Sequence, residues 1–128
     1  MPTDQLLIAE DDVRLSSMFK MVAEECGYEV RVAVNAASFK EILRDFEPTV
    51  ISLDLGMPGV NGIELLRFLA ERGCRARILI VSGLRNDIVE SAERHGKESG
   101  LNMAGAYRKP FRVSQLMTIL KELRVTGP

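Results

Sequence analysis

The stretch Val50-Ile51-Ser52-Leu53-Asp54-Leu55-Gly56-Met57-Pro58-Gly59-Val60-Asn61-Gly62 reads as a buried strand running into a broken turn. A near-continuous apolar run suits a strand covered on both faces, and Gly56, Pro58 and Gly59 punctuate the residues after it. Asp54 stands at the junction. Burying an unpaired carboxylate is expensive, so Asp54 must lie at the open end of a sheet or face a partner. Both placements suit a reactive aspartate.

Working outward, apolar runs alternate with amphipathic stretches along the whole chain. Gln5 to Ala9 reads as a buried strand. Val13 to Cys26 reads as a helix with Leu15, Met18, Phe19, Val22 and Cys26 on one face. Glu29 to Ala33 alternates as an edge strand would. Asn35 caps a second helix with Phe39, Ile42, Leu43 and Phe46 inward, ended by Pro48 before a strand over Thr49 to Asp54. Asn61 caps a third helix carrying Ile63, Leu66, Leu69 and Ala70. Arg77 to Ser82 is a fourth strand, Asp87 to Ser99 a weakly amphipathic helix, and Asn102 to Lys109 a fifth strand. Val113, Leu116, Met117, Leu120 and Leu123 form the cleanest helical stripe. Five strand–helix units imply an α/β fold, a doubly wound parallel sheet with right-handed crossovers and helices on both faces. Residues 1–124 are expected to form one domain, and 125–128 a tail or the start of a linker.

The bulk properties exclude several classes. At 128 residues the chain has room for one real core. A net charge of -1 offers no nucleic-acid clamp and no polybasic membrane surface. No apolar run reaches the length of a membrane span, and Met1 to Gln5 lacks the basic flank and apolar core of a signal peptide. Cys26 and Cys74 lack metal-ligand spacing and read as half-buried thiols in a reducing cytoplasm.

In such sheets ligands bind beyond the carboxyl ends of the strands. Those ends carry Glu10-Asp11-Asp12, Asp54, Ser82-Gly83 and Lys109-Pro110. Four strands thus deliver acids, a hydroxyl and one lysine to one edge. Clustered carboxylates raise one another's pKa unless a cation sits among them. A hard, oxygen-binding ion suits such a set, and Mg²⁺ is the expected one. An aspartate beside Mg²⁺ can attack a phosphoryl group to form an acyl phosphate, with Ser82 and Lys109 holding its non-bridging oxygens. Asp12 is read instead as a helix N-cap. His95 and the arginines at 72, 75 and 77 are read as surface residues.

These residues resemble the receiver domains of two-component response regulators. The resemblance covers essentially the whole chain. It rests on the ordered set Leu7-Ile8-Ala9-Glu10-Asp11-Asp12, Asp54-Leu55-Gly56-Met57-Pro58 with Gly62, Ile80-Val81-Ser82-Gly83 and Arg108-Lys109-Pro110-Phe111. It implies a flavodoxin-like sheet of order 2-1-3-4-5 with five helices. It implies Asp54 as phosphoacceptor, Asp11 as direct metal ligand with Glu10 in the acid pair, and the Gly56 carbonyl as a backbone ligand. Ser82 matches the switch hydroxyl, Lys109 the lysine that pairs with the aspartyl phosphate, and Lys109-Pro110 a bond that is usually cis. The implied partners are a sensor histidine kinase or phosphotransfer protein, and an output domain or partner protein at the helix 4/strand 5/helix 5 face. The implied location is the cytoplasm, and no enzyme activity is expected beyond self-phosphorylation and autodephosphorylation.

Two departures accompany the match. The aromatic residue of many receivers lies three positions before the lysine; here Ala106 holds that place, and strand alternation puts Tyr107 on the opposite face. The segment from Ser82 to Lys109 is also longer than the common pattern, so the fourth helix or its exit is expected to be extended. The long segment and the run Leu101 to Phe111 look like the receivers that precede EAL-type cyclic-di-GMP phosphodiesterase domains. Against an aspartyl phosphatase, Gly56 stands where a second acid is needed; against a flavodoxin-like cofactor binder, three acids replace a phosphate-cradling loop after the first strand. A degenerate receiver acting as a phosphorylation-independent interaction module is the remaining alternative.

Overall fold

The computed structural model describes residues 4–124. The expected tail over 125–128 lies outside the described residues. Ten elements alternate: β1 (Gln5–Ala9), α1 (Val13–Glu25), β2 (Glu29–Ala33), α2 (Ala36–Ile42), β3 (Val50–Leu53), α3 (Gly62–Glu71), β4 (Arg77–Ser82), α4 (Asn86–Glu98), β5 (Asn102–Arg108) and α5 (Val113–Glu122). The five strands are parallel in the order β2-β1-β3-β4-β5, as the resemblance implied.

Period-two alternation divides the strands between two cores. Leu7, Ile51, Leu53, Ile78 and Ile80 face α2, α3 and α4, where they meet Phe39, Leu66, Leu69 and Val89. Leu6, Ile8, Val50, Leu79 and Val81 face α1 and α5, where they meet Phe19, Val22, Leu116 and Leu120. Burial on both faces explains why β1, β3 and β4 read as apolar runs. Edge strand β2 keeps its alternation, with Glu29 and Arg31 exposed.

The helix starts are set by their caps. Asp12 accepts from the N–H groups of Arg14 and Leu15, as expected of an N-cap. Asn35 and Asn61 cap α2 and α3 in the same way. Several sequence-based boundaries need correction. The second helix ends at Ile42 rather than continuing to Phe46, which is nevertheless buried at the end of the next turn. The third strand is Val50–Leu53, shorter at both ends than expected. Ile88 and Val113, read as part of apolar helix faces, are exposed, whereas Cys26 is fully buried. The Arg72 side chain is no free surface group: its Nη2 donates to Leu43 O at 2.8 Å and its guanidinium lies 5.5 Å from the Phe68 ring.

Between Ser82 and Lys109, the segment expected to be long, lie a helix and an irregular strand. Helix α4 runs for 13 residues, through Gly96 to Glu98. Strand β5 then contains a bulge. Ile78 pairs with Met103 but Leu79 pairs with Gly105, leaving Ala104 extra. The bulge puts Met103 and Ala106, three apart, on the same α2–α4 side of the sheet.

Candidate functional site

The parallel ladder itself builds the site. Beyond the last residue of β1, the Glu10 N–H donates to Ala33 O at 2.9 Å; beyond β3, the Asp54 N–H donates to Ala9 O at 3.1 Å. Beyond β5, the Lys109 N–H donates to Ser82 O at 3.0 Å. Each residue is held by continuing the strand pairing one step, so three side chains from separate strands converge at the carboxyl edge. The Lys109–Pro110 bond is cis. Phe111 is packed edge-on against Phe19, with centroids 6.3 Å apart.

Lys109 Nζ donates to Glu10 Oε1 at 2.7 Å and to Asp54 Oδ2 at 3.0 Å. The other oxygen of each acid is also occupied. The Asp12 N–H donates to Glu10 Oε2 at 3.1 Å, and the Gly56 N–H donates to Asp54 Oδ1 at 2.8 Å. Both carboxylates are buried, at 4% and 5% exposure. The burial cost that Asp54 raised in the sequence is thus offset by partners at both oxygens. Burial pushes the Glu10 carboxyl above its usual range, with the Asp54 charge adding to the effect, while the bonds from Lys109 and Asp12 pull it down. Burial alone would depress the Lys109 ammonium, but its bonds to Glu10 and Asp54 outweigh burial and raise it.

Asp11 is exposed, yet carboxylate oxygens of Glu10, Asp11 and Asp54 lie within 4.8 Å of one another. Three acids face one lysine there, so the cluster keeps an excess of negative charge. The donor set is all oxygen. Ligand oxygens about 2.1 Å from a Mg²⁺ ion stand roughly 3 to 4 Å apart, a spacing comparable to that of this cluster. Gly56 is tied beside them through its N–H. Ser82 is fully buried, and its Oγ accepts from the Leu84 N–H at 3.1 Å. A hydroxyl that accepts still has its own proton to donate.

The structure thus brings Glu10, Asp11, Asp54, Gly56 and Lys109 together and places Ser82 at the adjoining strand end. Ala106 packs among the residues facing α2, α3 and α4, and Tyr107 among those facing α1 and α5, the opposite faces that alternation predicts. One residue escaped the sequence reading as an individual. The Arg108 guanidinium donates to Asn86 Oδ1 at the start of α4. Its only signal was its position, two residues after Ala106 on the same strand face.

A family model described as the response regulator receiver domain matches residues 6–121. The chain is 33% identical over 126 residues to the phosphate regulon transcriptional regulatory protein PhoB of Pseudomonas aeruginosa, covering 96% of this chain and 53% of that protein. It is 30% identical over 88 residues to the aerobic respiration control protein ArcA of Escherichia coli, covering 69% and 37% respectively. The chain therefore spans about half or less of these curated relatives. Among solved structures, the signal receiver domain of a response regulator from Bermanella marisrubri superposes with a TM-score of 0.82 at 26% identity, covering 95% of this chain and 98% of that one.

Proposed function

The chain belongs to the response regulator receiver family, and from that premise we propose that Asp54 accepts a phosphoryl group from a sensor histidine kinase or phosphotransfer protein, with Mg²⁺ held by Glu10, Asp11, Asp54 and the Gly56 carbonyl. The observation that carries the reading is Lys109 Nζ bridging two buried carboxylates from different strands. No ordinary surface lysine has reason to be there.

The chemistry rests on that geometry. Asp54 is already a carboxylate and needs no base. A lone pair on one of its oxygens attacks phosphorus, the P–N bond to the donor imidazole breaks, and the electron pair leaves with the ring nitrogen, which is protonated. When bound, Mg²⁺ would polarise the phosphoryl oxygens and offset their developing charge. Lys109 has three N–H donors, and the two acids engage two of them. The third is available to a phosphoryl oxygen, as is the Ser82 proton. Glu10 holds Lys109 in place while Asp54 reacts, and the Gly56 N–H orients the attacking carboxylate.

The added charge would be read out at the α4/β5/α5 face by an output domain or partner protein. The partial coverage of the curated relatives supports a longer regulator. The pattern from Ser82 to Phe111 supports an EAL-type cyclic-di-GMP phosphodiesterase output in particular. On this reading the domain works in the cytoplasm, has no enzyme activity beyond self-phosphorylation and autodephosphorylation, and binds neither nucleic acid nor membrane. Among the described residues no helix is long and apolar enough to cross a membrane.

A second reading, a phosphorylation-independent interaction module, is favoured by one observation: Ala106 carries no aromatic ring, and the nearby Tyr107 ring lies on the other side of the sheet. Incubation with acetyl phosphate separates the two. The first reading predicts Mg²⁺-dependent uptake of one phosphoryl group that chelation prevents and Asp54→Asn abolishes. Uptake by neither protein contradicts the first reading.

A further inference from the structure

We propose that Arg108 is the positioning residue that couples the acid site to helix α4, a role that Ala106 cannot fill; the inference rests on the phosphoacceptor reading of Asp54. Ser82 pairs with Arg108 across β4 and β5, and Ile80 pairs with Ala106. By alternation, Ser82, Ala106 and Arg108 all point to the α4 side. The Ala106 methyl has no hydrogen-bonding group to offer α4. Arg108, two residues on, donates to Asn86, the first residue of α4.

The start of α4 is where such a tether has leverage. Asp12, Asn35 and Asn61 immediately precede α1, α2 and α3, and each caps its helix with its side chain. The position before α4 is Arg85, which makes no side-chain cap bond and pairs instead with Asp87. Two bonds tie this uncapped end to the strands. The Leu84 N–H donates to Ser82 Oγ, and Arg108 donates to Asn86. Each tether starts on, or next to, a residue with a bond to offer at the Asp54 end of the sheet: Ser82 itself, and Lys109, the chain neighbour of Arg108. Lys109 is further pinned to Ser82 O through its own N–H. A phosphoryl group that draws in the Ser82 hydroxyl and Lys109 Nζ would therefore act on both tethers at once, which gives α4 two arrangements that the state of Asp54 selects. No aromatic ring is required.

Hydrogen exchange across residues 84–92, with and without acetyl phosphate and Mg²⁺, tests this, with intact mass on the same samples reporting the adduct. Wild type, Arg108→Ala, Arg108→Lys and Asn86→Ala are expected to take up phosphate to the same extent. Phosphorylation is expected to change exchange across 84–92 in wild type. Arg108→Ala and Asn86→Ala are expected to lose most of that change, and Arg108→Lys to recover part of it. A purely structural bond would alter exchange equally in both states and leave the phosphorylation-dependent difference intact. Should Arg108→Ala fold poorly, Asn86→Ala on the exposed helix surface carries the test. A wild-type-sized difference in the adducted Arg108→Ala and Asn86→Ala proteins overturns the relay alone, as does an adducted wild type without any change in α4. A wild type that takes up no phosphate overturns the phosphoacceptor reading, and the relay with it.

Discussion

The Tyr107 ring folds back over the backbone of Gly105, so that a Cβ added at Gly105 would stand 3.3 Å from Tyr107 Cε2. Gly105 also has φ +138°, a conformation that L side chains avoid. The two facts share a cause. The bulge at Ala104 twists β5, Gly105 absorbs the twist, and the Tyr107 ring covers the backbone that a glycine leaves bare. Gly105→Ala is therefore expected to destabilise the fold by about 1–2 kcal/mol, the usual cost of a strained φ. Thermal unfolding should show a midpoint several degrees lower; an unchanged midpoint would mean that the bulge tolerates a side chain.

Tyr28 offers a test of the α1/α5 core. It is 4% exposed and its hydroxyl donates to Leu120 O at 2.6 Å. Tyr28→Phe should cost about 1 kcal/mol, the net worth of one such bond. The same residue gives a pH signature. Burial, assisted by the nearby Asp4 charge, raises its phenol well above the ordinary value of 10.0. The unfolded chain then loses the proton first as pH rises, so Tyr28 subtracts stability above about pH 10 and nothing below it. Denaturant melts should fall more steeply above that pH in wild type than in Tyr28→Phe, whereas parallel slopes would contradict the account.

Removing Lys109 should expose the cost of its two partners. Lys109→Ala leaves Glu10 and Asp54 buried without their shared cation. In metal-free buffer the loss is expected to be on the order of 2–3 kcal/mol, toward the low end for a broken buried ion pair because the Lys109 side chain is not fully buried. Part of the loss should return on protonating Glu10, whose carboxyl burial already holds above its usual range, so the gap from wild type, measured by urea unfolding, should narrow as pH is lowered. A gap that holds constant with pH would assign the loss to packing instead.

Asp11 should behave in the opposite way. It is exposed and lies at the rim of the acid cluster, so Asp11→Asn should shift metal-free stability by no more than about 0.5 kcal/mol. Mg²⁺ should raise the unfolding midpoint of wild type progressively, since an ion that binds only the folded state stabilises it by mass action. In Asp11→Asn that rise should be largely absent. An equal Mg²⁺ response in both proteins would remove Asp11 from the metal site.

Much of this architecture was legible because one-dimensional pattern and three-dimensional position coincide. Residues 50–53 read as a central strand because the run is near-continuously apolar, with Val50 on one face and Ile51 and Leu53 on the other, and Asp12, Asn35 and Asn61 announce their helices chemically. Glu10, Asp54 and Lys109 could be grouped because strand ends in a parallel sheet share one edge. What was not legible depends on contacts between distant residues. A bulge at Ala104 leaves no trace in alternation until the β4 register is known. The end of α2 at Ile42 reflects tertiary packing of Phe46, which a helical spacing mimics. The pairing of buried Asp4 with half-buried Arg124, 120 positions apart, carries no local signal at all. Arg108 is a residue of ordinary type whose significance comes only from the helix it reaches.

The central claim, that Asp54 is the residue phosphorylated, is tested most directly by trapping the adduct and locating it. Wild-type protein incubated with acetyl phosphate and Mg²⁺, then reduced with borohydride, would carry homoserine in place of any phosphorylated aspartate. Peptide mass spectrometry is predicted to find that conversion at Asp54 and at no other acid, and to find none after Asp54→Asn. Conversion at Asp11 or Asp12, or none in wild type, would contradict the account.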